Sequence, residues 1–217
     1  DDKGESEDEM ARPLRADARR NQEQLIAAAR DVFVERGADA PLEEMARRAG
    51  VGIGTLYRRF PDRQTLMRAV ILDALAQSGA AAERAGDEAT DAFSAMASYM
   101  HAALDIRIAA VIPALMDQVD LNDPELRAAR DRATAPAEAI VDAAHAEGSL
   151  RPDVTFGDIG LIIVRLAHPL PGPISADLDG RLAHRHLHLV LAGMRRDGDA
   201  EAEPGITLDE LRTIGGY

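Results

Sequence analysis

Thr55, Tyr57 and Arg58 place a hydroxyl, a phenol and a guanidinium within one helical turn, a set suited to holding phosphate. They lie in residues 45–60, M-A-R-R-A-G-V-G-I-G-T-L-Y-R-R-F, which read as two short helices joined at Gly50. A tight helical corner needs a small side chain for close approach, a residue that accepts positive φ, and an apolar anchor on the second helix. Ala46, Gly50 and Leu56 meet those needs in turn. On a helical wheel Leu56 and Phe60 point together, with Ile53 and Arg59 at their flanks and Ile53 turned partly inward. Gly54 and Arg58 centre the opposite face, between Thr55 and Tyr57. That outward face suits a helix lying against a phosphate-walled groove. The competing reading is a structural corner whose arginines are simply solvated.

Other candidate chemistry is sparser. His184, His186 and His188 cluster, but on a helix only His184 and His188 share a face. Two imidazoles at that spacing want a third metal ligand, and the chain has no cysteine to supply it. No metal or other cofactor is expected. His101, His145 and His168 stand alone in the sequence and read as hydrogen-bonded structural residues. Ser94, Ser98 and Ser149 have no His/Asp constellation near them, so no catalytic residue is assigned and no enzymatic activity is expected. G-V-G-I-G at 50–54 mimics part of a dinucleotide fingerprint, yet no strand precedes it.

The composition says what kind of scaffold must hold these groups. The chain has 217 residues, 46 % hydrophobic but only 3 % aromatic, with no Trp and no Cys. Its core must be built from Leu, Ile, Val, Met and Ala, which points to an all-α protein. The lack of cysteine suits a reduced cytoplasm. The longest strongly apolar run, residues 161–164, is far too short to span a bilayer. Net charge is −13, unevenly spread. Residues 1–11 carry six acids and one base, and residues 69–217 carry twenty-four acids and twelve arginines. Residues 12–68 carry twelve arginines against eight acids, net +4. The positive field therefore coincides with the helical corner, and the acidic remainder helps to orient that face towards a polyanion.

Taken in order, residues 1–11 read as an acidic mobile tail, and Arg12, Arg15, Arg19 and Arg20 as a basic arm or a solvated helix start. A first helix starts at Asp17 or Asn21, where Asn21 and Gln24 resemble a capping box, and ends before Gly37. The second spans 42–49 after Pro41, and the third spans 53–60. Pro61 ends the third, and Asp62 can cap a long fourth helix over 63–82. Further helices are predicted over 87–108, over 111–119 with Pro113 in the first turn, and over 124–148 with a kink at Pro136. Thr155 and Asp158 open an eighth over 156–166, and a ninth covers 176–194. The tail from 197 is acidic.

Residues 18–75 resemble the N-terminal DNA-binding domain of TetR-family (tetracycline-repressor-like) transcriptional regulators. The resemblance rests on the Leu25–Phe33 apolar stripe, Gly37, Met45-Ala46, Gly50-Val51, and Gly54-Thr55-Leu56-Tyr57 followed by Phe60, Arg63 and Leu66. It implies an acidic tail and basic arm over 1–16, a helix-turn-helix domain over 17–61, a ligand-binding and dimerisation domain over 62–196, and a C-terminal tail over 197–217. It further implies a homodimer on a double-stranded, near-palindromic operator, a small-molecule effector of unspecified identity, repressor action, no membrane partner and a cytoplasmic location. The eighth and ninth helices would pair with their mates as a four-helix bundle. The residues assigned to DNA are Arg47, Arg48, Gly52, Gly54, Thr55, Tyr57, Arg58 and Arg63. Phe93, Met96, Tyr99, Met100, Met116, Arg165 and His168 are candidates to line a ligand pocket, or else are core and interface. Three departures stand out: Pro41-Leu42 replaces a Ser/Thr cap, Gly52-Ile53 a polar pair, and Arg63 a Lys. The rival reading is a helical ligand-binding or enzymatic bundle that has lost DNA reading.

Overall fold

Helix-forming residues interrupted by caps, glycines and prolines give nine α-helices among the described residues, in a computed structural model. It describes residues 3–196 except 116, 121 and 171, with side chains from residue 19 onward. The helices are α1 (Lys3–Arg36), α2 (Leu42–Arg48), α3 (Ile53–Arg59), α4 (Arg63–Glu88), α5 (Ala92–Ile106), α6 (Ile108–Leu115), α7 (Pro124–Ala146), α8 (Phe156–Ala167) and α9 (Ala176–Met194). The all-α class is as the composition requires.

Several ends are set by the side chains that the sequence singles out. Asp62 accepts from the Thr65 N–H at 2.7 Å and starts α4. Thr155 and Asp158 form the reciprocal capping box that opens α8. Asp123 accepts from Glu125 and Leu126 to open α7.

Three boundaries differ from the sequence reading. The helix α1 begins at Lys3, so residues 3–16 are helical rather than a separate tail and arm, and Asn21 is interior rather than a cap. Glu, Met, Ala, Arg and Leu dominate that segment, its acids precede its arginines as the helix dipole favours, and it extends an already nucleated helix. The expected gap over 83–86, which includes Gly86, is absent, because α4 continues to Glu88 and Asp91 caps α5 through the Ser94 N–H at 2.8 Å. Arg107, at φ 58, ends α5 in the left-handed conformation, and α6 restarts at once. Pro113 therefore sits inside α6 rather than in its first turn.

The apolar faces close into two cores. The first joins α1, α2 and α3 to the N-terminal half of α4, to α6 through Val111 and Leu115, and to α7 through Leu126. The second joins the C-terminal half of α4 to α5, α7, α8 and α9. Helix α7 serves both, through Leu126 and Ala133 in the first and Ile140 and Val141 in the second, and so does α4: Leu66, Val70 and Ile71 serve the first, Ala82 and Ala85 the second. Its buried face beyond Leu75 is Ser78, Gly79, Ala81, Ala82 and Ala85, small enough for α7 to lie close. A Cβ on Gly79 would come within 3.2 Å of the Ala133 Cα. Gly79→Val should accordingly separate α4 from α7 and lower stability by about 1–3 kcal/mol, measured by urea unfolding. An unchanged unfolding midpoint would show that the contact yields freely.

Candidate nucleic-acid interface

The corner is built by a short-range closure. After α2 the Gly50 N–H donates to the Arg47 carbonyl at 3.2 Å, and the Val51 N–H to the Ala46 carbonyl at 2.9 Å. This pair of bonds needs a left-handed residue at its centre, and Gly50 has φ 68. Met45, Ala46 and Leu56 are buried beneath it. Leu56 anchors α3 against the first core, and Phe60 closes the far end. Pro41, extended at φ −62, precedes α2 without a side-chain cap, so the missing hydroxyl has no local substitute.

With Leu56 and Phe60 inward, α3 turns Gly52, Ile53, Gly54, Tyr57, Arg58 and Arg59 outward, while Thr55 is half-buried. Ile53 is the correction here: it is 37 % exposed and lies one turn from Tyr57, which is 48 % exposed. The wheel places Ile53 beside the buried pair, but α3 begins at Ile53 and has no preceding turn to cover it. An apolar side chain on this face can meet a thymine methyl, the contact that a polar residue there would forgo. Cβ atoms built on Gly52 and Gly54 meet nothing within 4 Å, and neither glycine has a positive φ. Nothing inside the protein requires glycine at either position.

The arginines divide by task. Arg58 is exposed and has no hydrogen-bond or ion-pair partner among the described residues. Arg47 is paired with Glu44 at 2.8 Å but keeps 72 % of its side chain exposed. Arg48 is instead a strut: it donates to Glu35 of α1 at 2.6 Å and to Glu44 at 2.9 Å, with 28 % exposure. Its hydrogen bond holds the Glu35 carboxyl below the usual range, and the two arginine bonds, Arg48 before Arg47, do the same for Glu44. Arg63, expected on phosphate, spends one nitrogen on the carbonyls of Ala38 (2.8 Å) and Ala40 (2.6 Å). It ties the start of α4 to the α1–α2 turn, because two carbonyls left free at the end of α1 point towards it. Arg19 lies far out on α1, paired with Glu23 at 2.9 Å.

The expected pocket residues do not converge. Phe93, Met96 and Met100 are packed in the second core, and Arg195 stacks its guanidinium on the Phe93 ring at 4.2 Å. Arg165 and His168 are exposed on and after α8, where His168 Nδ1 meets the Val164 carbonyl at 2.8 Å. Met116 lies outside the described residues. Tyr99 lines a cavity of about 150 Å³, together with Ser78, Arg130, Thr134 and Phe156 among apolar neighbours. Its hydroxyl is 3.3 Å from that of Ser78, and burial pushes the phenol upward, away from ionisation. The serines of the sequence reading are structural: Ser94 bonds to Asp91 and Ser149 to the Ala144 carbonyl. Among the described residues no single helix is long and apolar enough to cross a membrane.

A two-helix corner presenting a polar, partly basic second helix defines the helix-turn-helix class of DNA-binding proteins. Residues 25–70 match the family described as bacterial regulatory proteins, tetR family. Over 63 residues the chain is 40 % identical to an uncharacterized HTH-type transcriptional regulator, TtgW, of Pseudomonas putida. That match covers 29 % of this chain and 47 % of the relative, so the chain spans about half the length of that curated protein. The TetR transcriptional regulator SCO0520 of Streptomyces coelicolor superposes with a TM-score of 0.58 at 30 % identity, covering 81 % of this chain and 99 % of that one. A TetR transcription regulatory protein of Mycobacterium vanbaalenii gives 0.56 at 29 %, covering 85 % and 100 %. The chain belongs to the TetR family of transcriptional regulators.

The division of labour among the arginines is measurable. Arg63→Ala should lower stability of the N-terminal domain by about 1–3 kcal/mol, since two partly buried carbonyls lose a charged donor. Arg58→Ala should leave the urea midpoint unchanged. Equal midpoints for the two variants would remove the structural role from Arg63.

Proposed function

We propose that this protein binds a near-palindromic operator as a homodimer and represses transcription, releasing DNA when a small effector occupies the helical body. The observation that carries the reading is the outer face of α3. Arg58 and Tyr57 stand exposed there beside two glycines that the fold itself does not require. In this reading Gly52 and Gly54 let the helix backbone approach the groove, and Thr55 with Ile53 reads base edges. Tyr57, Arg58 and Arg47 hold phosphate, while Arg48 and Arg63 position the helices that do so. The working domains would be 17–61 for DNA and 62–196 for ligand and assembly. The role carries a cytoplasmic location and no catalytic step with it.

A homodimer is supported by α9, where Leu178 (39 %) and Leu189 (53 %) leave apolar surface exposed three turns apart. Pairing α8 and α9 with their mates would cover it and set the two α3 helices about 34–36 Å apart, one turn of duplex. The cavity at Tyr99 supports an effector that is compact and mostly apolar with one hydrogen-bonding group. Because α4 runs from that cavity wall at Leu75 and Ser78 to the corner at Leu66, an effector preferring one tilt of α4 would change the spacing of the reading heads. A coupling of about 1–3 kcal/mol changes operator affinity roughly 5–150-fold.

Gly54→Ala tests the reading. Alanine in an exposed helical position should raise stability by about 0.5–1 kcal/mol. The same change should weaken binding to an operator selected from genomic DNA by tenfold or more, with Arg58→Ala flattening the salt slope by about 0.9. Wild-type affinity in Gly54→Ala would show that α3 does not lie against the groove.

A further inference from the structure

His101 of α5 and His184 of α9, far apart in sequence, meet edge to edge. Their ring planes differ by 16°, their centroids are 5.0 Å apart, and their Nδ1 atoms face each other at 2.7 Å. His184 turns its other nitrogen, Nε2, to the Asp105 carboxylate at 2.9 Å. An ionised carboxylate only accepts, so Nε2 of His184 carries a hydrogen. With both rings neutral, Nδ1–H of His101 then donates to the bare Nδ1 of His184; the bonding network assigns these tautomers. One added proton is accommodated, because a single hydrogen still lies between the two Nδ1 atoms and Asp105 balances the charge. A second added proton puts N–H on both Nδ1 atoms, and two donors on two cations face each other.

The groups acting on His101 are Asp105 on its own helix and His184 and His188 on α9. His184 also lines a cleft of about 460 Å³ with Glu35 of α1, Arg107 at the α5–α6 corner and Asp179 of α9. The contribution of α8 to that cleft is apolar, through Leu166 and Ala167. Among the described residues no three His, Asp or Glu side chains converge as a metal would need. Asp105 sits on the far side of the His184 ring from His101, so it orients that ring rather than joining it as a ligand.

We propose that His101 and His184 form a proton-operated latch between α5 and α9, closed while the pair holds at most one added proton and opened by the second. The latch matters because it holds the less buried half of α9. After it, Leu187, Leu191 and Met194 are buried in the second core; before it, Leu182 and Ala183 are only partly covered. Opening therefore frees residues 176–184 and leaves the C-terminal half, from Leu187 on, seated. The direction follows from burial and from the His184 and His188 charges, which press the His101 imidazole below its ordinary range despite Asp105. A depressed imidazole contributes stability above the ordinary value of about 6.5, lost as pH falls through the folded value.

The test follows imidazole nitrogen shifts and amide exchange on the full chain from about pH 8 to about pH 5. The expected result is a His101 titration coupled to the His184 ring, with amide protection over residues 176–184 falling tenfold or more as the second proton binds. His101→Gln should remove that pH step, His188→Gln should retain it, and Asp105→Asn should move it to lower pH by withdrawing the balancing charge. Independent titration of the two rings in the wild type, or a pH step surviving in His101→Gln, would overturn the latch. So would a wild-type profile that shifts on adding zinc ions, which would assign the pair to a metal.

Discussion

The structure depends on α4 being shared, as α7 also is, between two cores. Residues Leu66 to Ile71 of α4 complete the apolar interior under the helical corner, and Ala82 and Ala85 belong to the interior of the body. A covalent rod of 26 residues cannot bend into two independent positions without losing packing in one core or the other. The close seating of α7, which the missing side chain of Gly79 permits, fixes the same rod from the side. The helices α6 and α7 also enter the first core, so the reading head is packed against the body and not merely tethered to it.

Within the head, electrostatics has two roles with opposite geometry. The bonds of Arg48 to Glu35 and Glu44, and of Arg63 to two carbonyls, point inward and set the angle of α2 and α4 against α1. The outward charges differ: Arg58 has no partner among the described residues, and Arg47 bonds only within its own helix, to Glu44, and keeps most of its side chain exposed to a polyanion. Acids scattered through the rest of the chain give it net charge −13, so the basic face is local and directional. A net charge taken over the whole chain would hide this.

The body is less specialised. Its cavity at Tyr99 is small, and Met96 and Met100 are packed in the second core. The His101–His184 contact, with Asp105 beside it, is an ionisable joint between α5 and α9, beside apolar packing through Leu187 and Leu191.

The sequence by itself determined the helical class, eight of the nine helix starts to within five residues, and the outward Tyr57 and Arg58, with Thr55 half-buried beside them. These are local matters: apolar period, capping side chains and glycine at Gly50 act over four or five residues. Where a boundary depended on distant atoms it was missed, as at Gly86, beside which Ile140 of α7 packs. Only the tertiary structure decided which arginines face in, because the carbonyls that hold Arg63 lie in the α1–α2 turn and a carboxylate that holds Arg48 comes from α1. It likewise set Phe93 and Met100 in the packed second core, the core alternative of the sequence reading, and gave His184 a partner 83 positions away in His101. Periodicity records which face of a helix is buried, but it carries no information about which other helix that face will meet.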